Sequence, residues 1–107
     1  MFNKHDNTGY REPLKGIQQK TLVYGQRTLT VEFRLQKGAV LPMHEHPHEQ
    51  TGYLVSGRLD LTIGGETRRQ GPGDSWCIPG ATEHGAKAIE DSVAVEVFSP
   101  VREDYLP

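Results

Sequence analysis

Residues 38–50 read GAVLPMHEHPHEQ and contain three of the five histidines in a chain of 107 residues. On an extended chain His44 and His46 point to the same side, about 6.6 Å apart along the strand. Two imidazoles at that spacing can bind one divalent metal ion. The alternative is a polar, solvated loop that happens to be rich in histidine.

His48 and Gln50 lie on the same face of such a strand. A straight strand from His44 to Gln50 would span about 20 Å, however, so all four groups cannot reach one ion unless the chain bends. Pro47 cannot donate a ladder hydrogen bond, and we expect the bend there. We therefore place His48 beside the ligands rather than among them.

The rest of the chain has the periodicity of β-strands. Residues 28–35 and 58–63 alternate apolar and polar side chains, as strands with one buried face do. Gly64 and Gly65 then predict a two-residue hairpin into residues 66–69. Shorter strand candidates lie at residues 21–24, 50–55, 75–78 and 93–98. Many short strands and no helical stripe predict an all-β sandwich or barrel.

Composition limits the class of protein. A length of 107 residues predicts a single domain over residues 1–107, with a core at about 15–100 between a polar N-terminal segment and a C-terminal tail. One cysteine, Cys77, excludes an internal disulfide and a cysteine-based zinc site. A net charge of −2 gives no broad attraction to nucleic acid or to anionic membranes, and we expect neither as a partner. Because the chain lacks an apolar signal and paired cysteines, we expect a cytoplasmic location.

Two spaced motifs resemble those of the cupin family. They are Gly38-x5-His44-x-His46-x3-Gln50-x6-Gly57 and Gly73-x5-Pro79-x-Ala81-x2-His84. The resemblance implies a single small cupin β-barrel, a jelly roll or double-stranded β-helix, with a metal ion inside. By position it implies that His44, His46, Gln50 and His84 bind one divalent transition metal ion, which can be zinc, nickel, manganese or iron.

Three positions depart from the family pattern. Gln50 stands where a glutamate ligand is usual, Ala81 where glycine is usual, and Ala88 where asparagine is usual. Glu49 lies one residue before the position of the usual ligand. On an extended strand its side chain points to the face opposite that of His44 and His46. We therefore expect Glu49 to face outward.

Within the cupins the chain is most similar to the pectin-degradation branch. The segments that carry this resemblance are HEHPHEQTGY at residues 44–53 and VFSPVREDYL at residues 97–106. Members of that branch open 4,5-unsaturated uronates to keto sugar acids, and their tail pattern is Asp-x-Phe-x3-Arg. The corresponding residues are Glu96, Phe98 and Arg102. The resemblance implies a metal-dependent isomerase in which Glu96 is a general acid or base, Arg102 binds the substrate carboxylate and Phe98 forms an apolar wall.

Other functions stay open from the sequence. The chain can be a dioxygenase-type cupin, or a non-enzymatic cupin that binds a small ligand or a metal. Glu96 can be solvent-exposed, Arg102 can form only surface ion pairs, and Phe98 and Trp76 can belong to the core. Because exposed sheet edges need cover, we also expect a homodimer.

Overall fold

The computed structural model describes every residue from Met1 to Pro107 and contains ten strands and one short 3-10 helix. The strands are β1 (Arg11–Leu14), β2 (Ile17–Tyr24), β3 (Leu29–Leu35), β4 (Val40–His44), β5 (Glu49–Ser56), β6 (Leu59–Ile63), β7 (Glu66–Gln70), β8 (Ser75–Ile78), β9 (His84–Ala88) and β10 (Ser92–Ser99). The 3-10 helix is Glu103–Tyr105. It is far too short to cross a membrane, and no other helix is present.

The strands form two antiparallel sheets. One has six strands in the order β1-β2-β3-β10-β5-β8, and the other has four in the order β4-β9-β6-β7. The chain passes repeatedly from one sheet to the other, and inward side chains from both sheets line one cavity. This is the all-β jelly-roll barrel predicted from the sequence.

The strongly alternating segments form strands as predicted. In β3 the residues Leu29, Val31 and Leu35 are buried. Gly64 and Gly65 both have positive φ angles, 55° and 85°, as a two-residue hairpin between β6 and β7 requires. Local alternation and turn chemistry are therefore sufficient to predict these elements.

Three strands have no clear sequence pattern. They are β1, β4 and β9. The first two contain proline, and β9 reads HGAKA, which is poor in strand-forming residues. Each is a strand because it pairs with a neighbour: β1 with β2, and β9 with both β4 and β6.

The core has two parts. Seven buried apolar residues close one end of the barrel, among them Leu35, Leu54 and Leu59. At the other end Leu29, Val31 and Phe98 pack against the C-terminal tail. The barrel interior near this second cluster contains buried polar residues, including His84 and Gln50, and Gln50 lies directly opposite Phe98 in the sheet. The core thus leaves a polar region inside the barrel.

Four strands have a free edge in the barrel: β1, β8, β4 and β7. Pro13 and Pro42 interrupt two of these edges, and charged side chains cover β7. The homodimer expected from exposed edges stays a prediction.

Two motif glycines allow a matched test of the fold. Gly57 has a φ of 94°, and a Cβ there would overlap Ser92 and the main-chain oxygen of Asp91. Gly73 has a φ of 90°, but a Cβ there would meet nothing within 4 Å. We expect Gly57→Ala to lower the free energy of unfolding by about 3 kcal/mol, from backbone strain and overlap. Gly73→Ala should cost only about 1 kcal/mol. Denaturant unfolding measures both, and equal losses would contradict the overlap at Gly57.

Candidate metal centre

Three histidine rings converge at one end of the barrel interior. His44 ends β4 and His84 begins β9, and the two are cross-strand partners whose ring centroids lie 4.2 Å apart. The ring centroid of His46 lies 4.9 Å from that of His84. The three side chains each offer a ligand atom, and these atoms lie within 4.8 Å of one another. Two segments separate in the sequence, residues 44–46 and the start of β9, therefore supply one cluster.

His46 reaches the cluster because the chain crosses between the sheets. β4 ends at His44 in the four-stranded sheet, and β5 begins at Glu49 in the six-stranded sheet. The N–H of Ala81 donates a hydrogen bond of 2.7 Å to the carbonyl oxygen of His46. Ala81 has a φ of 57°, the conformation that the usual glycine of this motif adopts without strain. The bend expected at Pro47 is thus a crossover held by a neighbouring turn.

Main-chain carbonyl groups determine the tautomer of all three neutral rings. In each ring Nδ1 lies within hydrogen-bond distance of a carbonyl oxygen, which can only accept. The acceptors are Pro42 for His44 (2.9 Å), His48 for His46 (3.0 Å) and Thr82 for His84 (2.8 Å). A neutral imidazole with its proton on Nδ1 has a lone pair on Nε2. Three Nε2 lone pairs are therefore available to a metal ion.

Two of these nitrogen atoms lack a suitable partner within the protein. Nε2 of His84 is buried without a hydrogen bond. Nε2 of His46 lies 3.1 Å from Oε1 of Gln50, so two lone-pair atoms face each other. A cation bound by both would remove that conflict, and neutral nitrogen and amide donors suit divalent transition metals. The residues present therefore fit such an ion.

Electrostatics favour the neutral form of these rings. Burial lowers the pKa of His46 and of His84 below the ordinary histidine value. The positive charge of Arg102 lowers the pKa of His46 further. Neutral imidazole is the form that binds a metal.

A carboxylate lies next to the cluster. Glu96 of β10 lines the cavity and accepts a hydrogen bond of 2.8 Å from the indole Nε1 of Trp76. Burial raises the pKa of Glu96 to about 7, although hydrogen bonds from Gln50 and Trp76 act in the opposite direction. Near neutral pH both the acid and the base form of Glu96 are then present.

Arg102 lies at the same cavity, just beyond β10. Its guanidinium group lies over the Tyr105 ring, 4.0 Å from the centroid, and 5.3 Å from the centroid of Phe98. Nε and Nη2 donate hydrogen bonds of 3.2 and 2.7 Å to the carboxylate of Asp104. Arg102 therefore forms the ion pair that the sequence left open, but its side chain is only 15% exposed and lines the cavity.

The cavity has a volume of about 640 Å³. Both sheets contribute apolar lining residues, among them Leu35 of β3, Leu61 of β6 and Ala86 of β9. The polar lining residues include His44, Gln50, His84, Glu96 and Arg102, with Gln19 on β2 as a further amide and with Arg11, Glu12 and Asp104 as further charged groups. An apolar enclosure with a few convergent polar groups is the usual form of a small-molecule site.

The sequence family agrees with this arrangement. The family model described as "Cupin domain" matches residues 31–100. The chain is a cupin.

Individual relatives extend the match over almost the whole cupin. The pectin degradation protein KdgF of Dickeya dadantii is 32% identical over 103 residues, which cover 94% of each chain. The solved structure of KdgF from a Halomonas species is 36% identical, with a TM-score of 0.94 over 99% of this chain and 98% of that one. A RmlC-like cupin from Shewanella frigidimarina is 28% identical, with a TM-score of 0.93 over 98% and 95% of the two chains. These matches confirm the resemblance to the pectin-degradation cupins.

The structure separates the remaining aromatic and histidine candidates. Phe98 is 1% exposed and belongs to the core, but it also lines the cavity, and its ring centroid lies 5.8 Å from that of His46. Trp76 and Ile78 face the cavity, and Cys77 between them is exposed. His48 stays beside the cluster, with its ring centroid 5.6 Å from that of His46.

Sequence reasoning missed two residues of the site, Gly52 and Tyr105, whereas Asp104 is the ion-pair partner that the sequence left open for Arg102. Gly52 occupies an inward position of β5 between Glu96 and Trp76, and the Tyr105 ring lies against Arg102. A glycine at an inward position of a strand is a usable signal, because it often marks a close approach of other groups. The tail residue Tyr105 gave no such signal, since it follows the last strand.

Metal binding by the cluster can be measured directly. We expect the cupin to bind about one divalent transition metal ion per chain, because one set of three imidazoles is available. His44→Ala and His84→Ala should each weaken binding by at least about tenfold. Equilibrium dialysis with elemental analysis gives both values. His5→Ala, which changes an exposed histidine of the N-terminal segment, is the control. Binding that survives in both cluster variants would contradict this assignment.

Proposed function

We propose that this cupin is a metal-dependent isomerase that opens a 4,5-unsaturated uronate, or a related sugar acid, to its keto form. The observation that carries the proposal is the position of Glu96 and Arg102 in one cavity with the histidine cluster. Similarity over nearly full length to two KdgF proteins, one of them named for pectin degradation, supports the substrate class.

Arg102 supplies the group that binds the substrate carboxylate in this proposal. A guanidinium group presents a planar pair of donors that matches a carboxylate, and Asp104 already demonstrates this geometry in the protein. The Tyr105 and Phe98 rings limit the orientations open to Arg102. The substrate carboxylate would therefore be held at a defined place beside Glu96.

Glu96 moves the protons. Ring opening breaks the bond between the anomeric carbon and the ring oxygen, the anomeric hydroxyl loses its proton, and an aldehyde and an enolate form. The enolate becomes the ketone when C4 gains a proton. The Glu96 carboxylate accepts the first proton, and its acid form supplies the second, so no proton is gained or lost overall.

The candidate metal ligands are His44, His46, Gln50 and His84. When bound to these uncharged donors, a divalent ion supplies a positive charge that polarises a substrate oxygen. The protein around the donors is largely apolar, which strengthens electrostatic interactions inside the cavity.

The isomerase can be tested with an unsaturated uronate released by a pectin or alginate lyase. We expect metal-loaded protein to speed the loss of the ultraviolet absorbance of the ring double bond. Glu96→Gln should lower kcat by about a hundredfold or more, because an amide cannot exchange the protons. Glu103→Gln, which removes an exposed carboxylate from the tail, is the matched control. No acceleration by wild-type protein, together with oxygen uptake on other substrates, would favour the dioxygenase instead.

Carboxylate binding by Arg102 makes a separate prediction. Arg102→Lys keeps the positive charge but loses the paired donors, so we expect KM to rise about tenfold or more. Steady-state kinetics on the same uronate measures the change. A KM equal to that of wild-type protein would exclude Arg102 from substrate binding.

A further inference from the structure

Glu96, Gly52 and Trp76 form a row across the six-stranded sheet. Gly52 of β5 lies directly opposite Glu96 of β10 on one side and Trp76 of β8 on the other. Residues at the same level of adjacent strands point to the same face, and here that face is the cavity. Any side chain at position 52 would lie between the other two.

Glycine leaves that position empty, and the indole and the carboxylate meet there. A Cβ on Gly52 would overlap Nε1 and Cε2 of Trp76 and Oε1 of Glu96. Because φ at Gly52 is not positive, the backbone itself would accept alanine. The glycine is therefore needed for space and not for its conformational freedom.

The Glu96 carboxylate also faces Gln50, a candidate metal ligand. The hydrogen bond from Trp76 directs Oε1 of Glu96 toward β8, and the Gln50 amide also acts on this carboxylate. A carboxylate only accepts hydrogen bonds, so the amide presents Nε2 to Glu96 and Oε1 to His46. One row of side chains thus orients both Glu96 and a candidate ligand.

We propose that Trp76 is a positioning residue for Glu96, and that Gly52 provides the space in which the two side chains meet. The kinetic part of this inference rests on the proposed isomerase. The structural part does not, because it concerns a contact within the protein.

The contact can be followed by NMR without substrate. Trp76 is the one tryptophan, so the protein has a single indole N–H signal. We expect Gly52→Ala and Glu96→Gln each to shift that signal, because one displaces the acceptor and the other removes its charge. Tyr53→Phe, which removes a hydroxyl from an outward side chain of the same strand, should leave the signal in place. An unchanged indole signal in Gly52→Ala would overturn the role of Gly52.

Kinetics then separate positioning from packing. Trp76→Phe keeps an aromatic ring but removes the donor, and we expect kcat to fall about tenfold while KM changes less than about twofold. In a Glu96→Gln background the same substitution should cause no further loss, since Trp76 acts through Glu96. The Tyr53→Phe control should retain the wild-type kcat.

Two results would overturn the kinetic part. One is an equal loss from Trp76→Phe in both backgrounds, which indicates packing alone. The other is an unchanged kcat in Trp76→Phe when wild-type protein is active. Wild-type protein that does not act on the uronate overturns the proposed isomerase, and the indole signal then still tests the contact.

Discussion

The pairing of β4 with β9 places His44 directly opposite His84, and the rest of the site depends on this register. His46 joins them because the Ala81 turn holds the crossover that follows β4. All three Nδ1 atoms are hydrogen-bonded to main-chain carbonyl groups, so the Nε2 atoms converge with lone pairs available to bind a metal ion. The backbone therefore determines both the position and the tautomer of the rings.

The six-stranded sheet supplies the opposite side of the cavity. Gln50 and Glu96 project from β5 and β10, and Arg102 follows β10 in the tail. Burial raises the pKa of Glu96 and lowers that of His46, so both carry less charge at neutral pH than the same groups in water. Arg102 is a positive group at this side, and aromatic contacts and Asp104 hold it in place.

Much of this arrangement was predictable from local patterns. Alternation identified β3 and β6, and two glycines identified the hairpin after β6. The spacing of the histidines, with the resemblance to the cupin motifs, selected the four residues that lie together around Nε2 of His46. Strand-length arithmetic also required a bend between His44 and Gln50. It did not show that this bend is a crossover between two sheets, because spacing along a chain contains no information about sheet membership.

Contacts between distant segments were not predictable in this way. Trp76 and Cys77 are adjacent in β8, so alternation puts them on opposite faces but does not tell which face is inward. Only the packing of the barrel shows that Trp76 faces the cavity. The burial of Phe98 against the C-terminal tail and the space at Gly52 each depend on neighbours that lie in other elements of the chain.

The sequence by itself determined the all-β architecture, the hairpin at Gly64 and Gly65, and the identity of the histidine cluster. The architecture, the hairpin and the pairing of His44 with His46 follow from periods of two residues, from turn chemistry and from short-range spacing, which are properties of neighbouring residues. His84 was added by the resemblance to the second cupin motif. The tertiary structure alone decided which face of β8 meets the cavity and how Glu96 and Arg102 are held there. Those features depend on sheet register and side-chain volume, and a difference of one residue in register would reverse them.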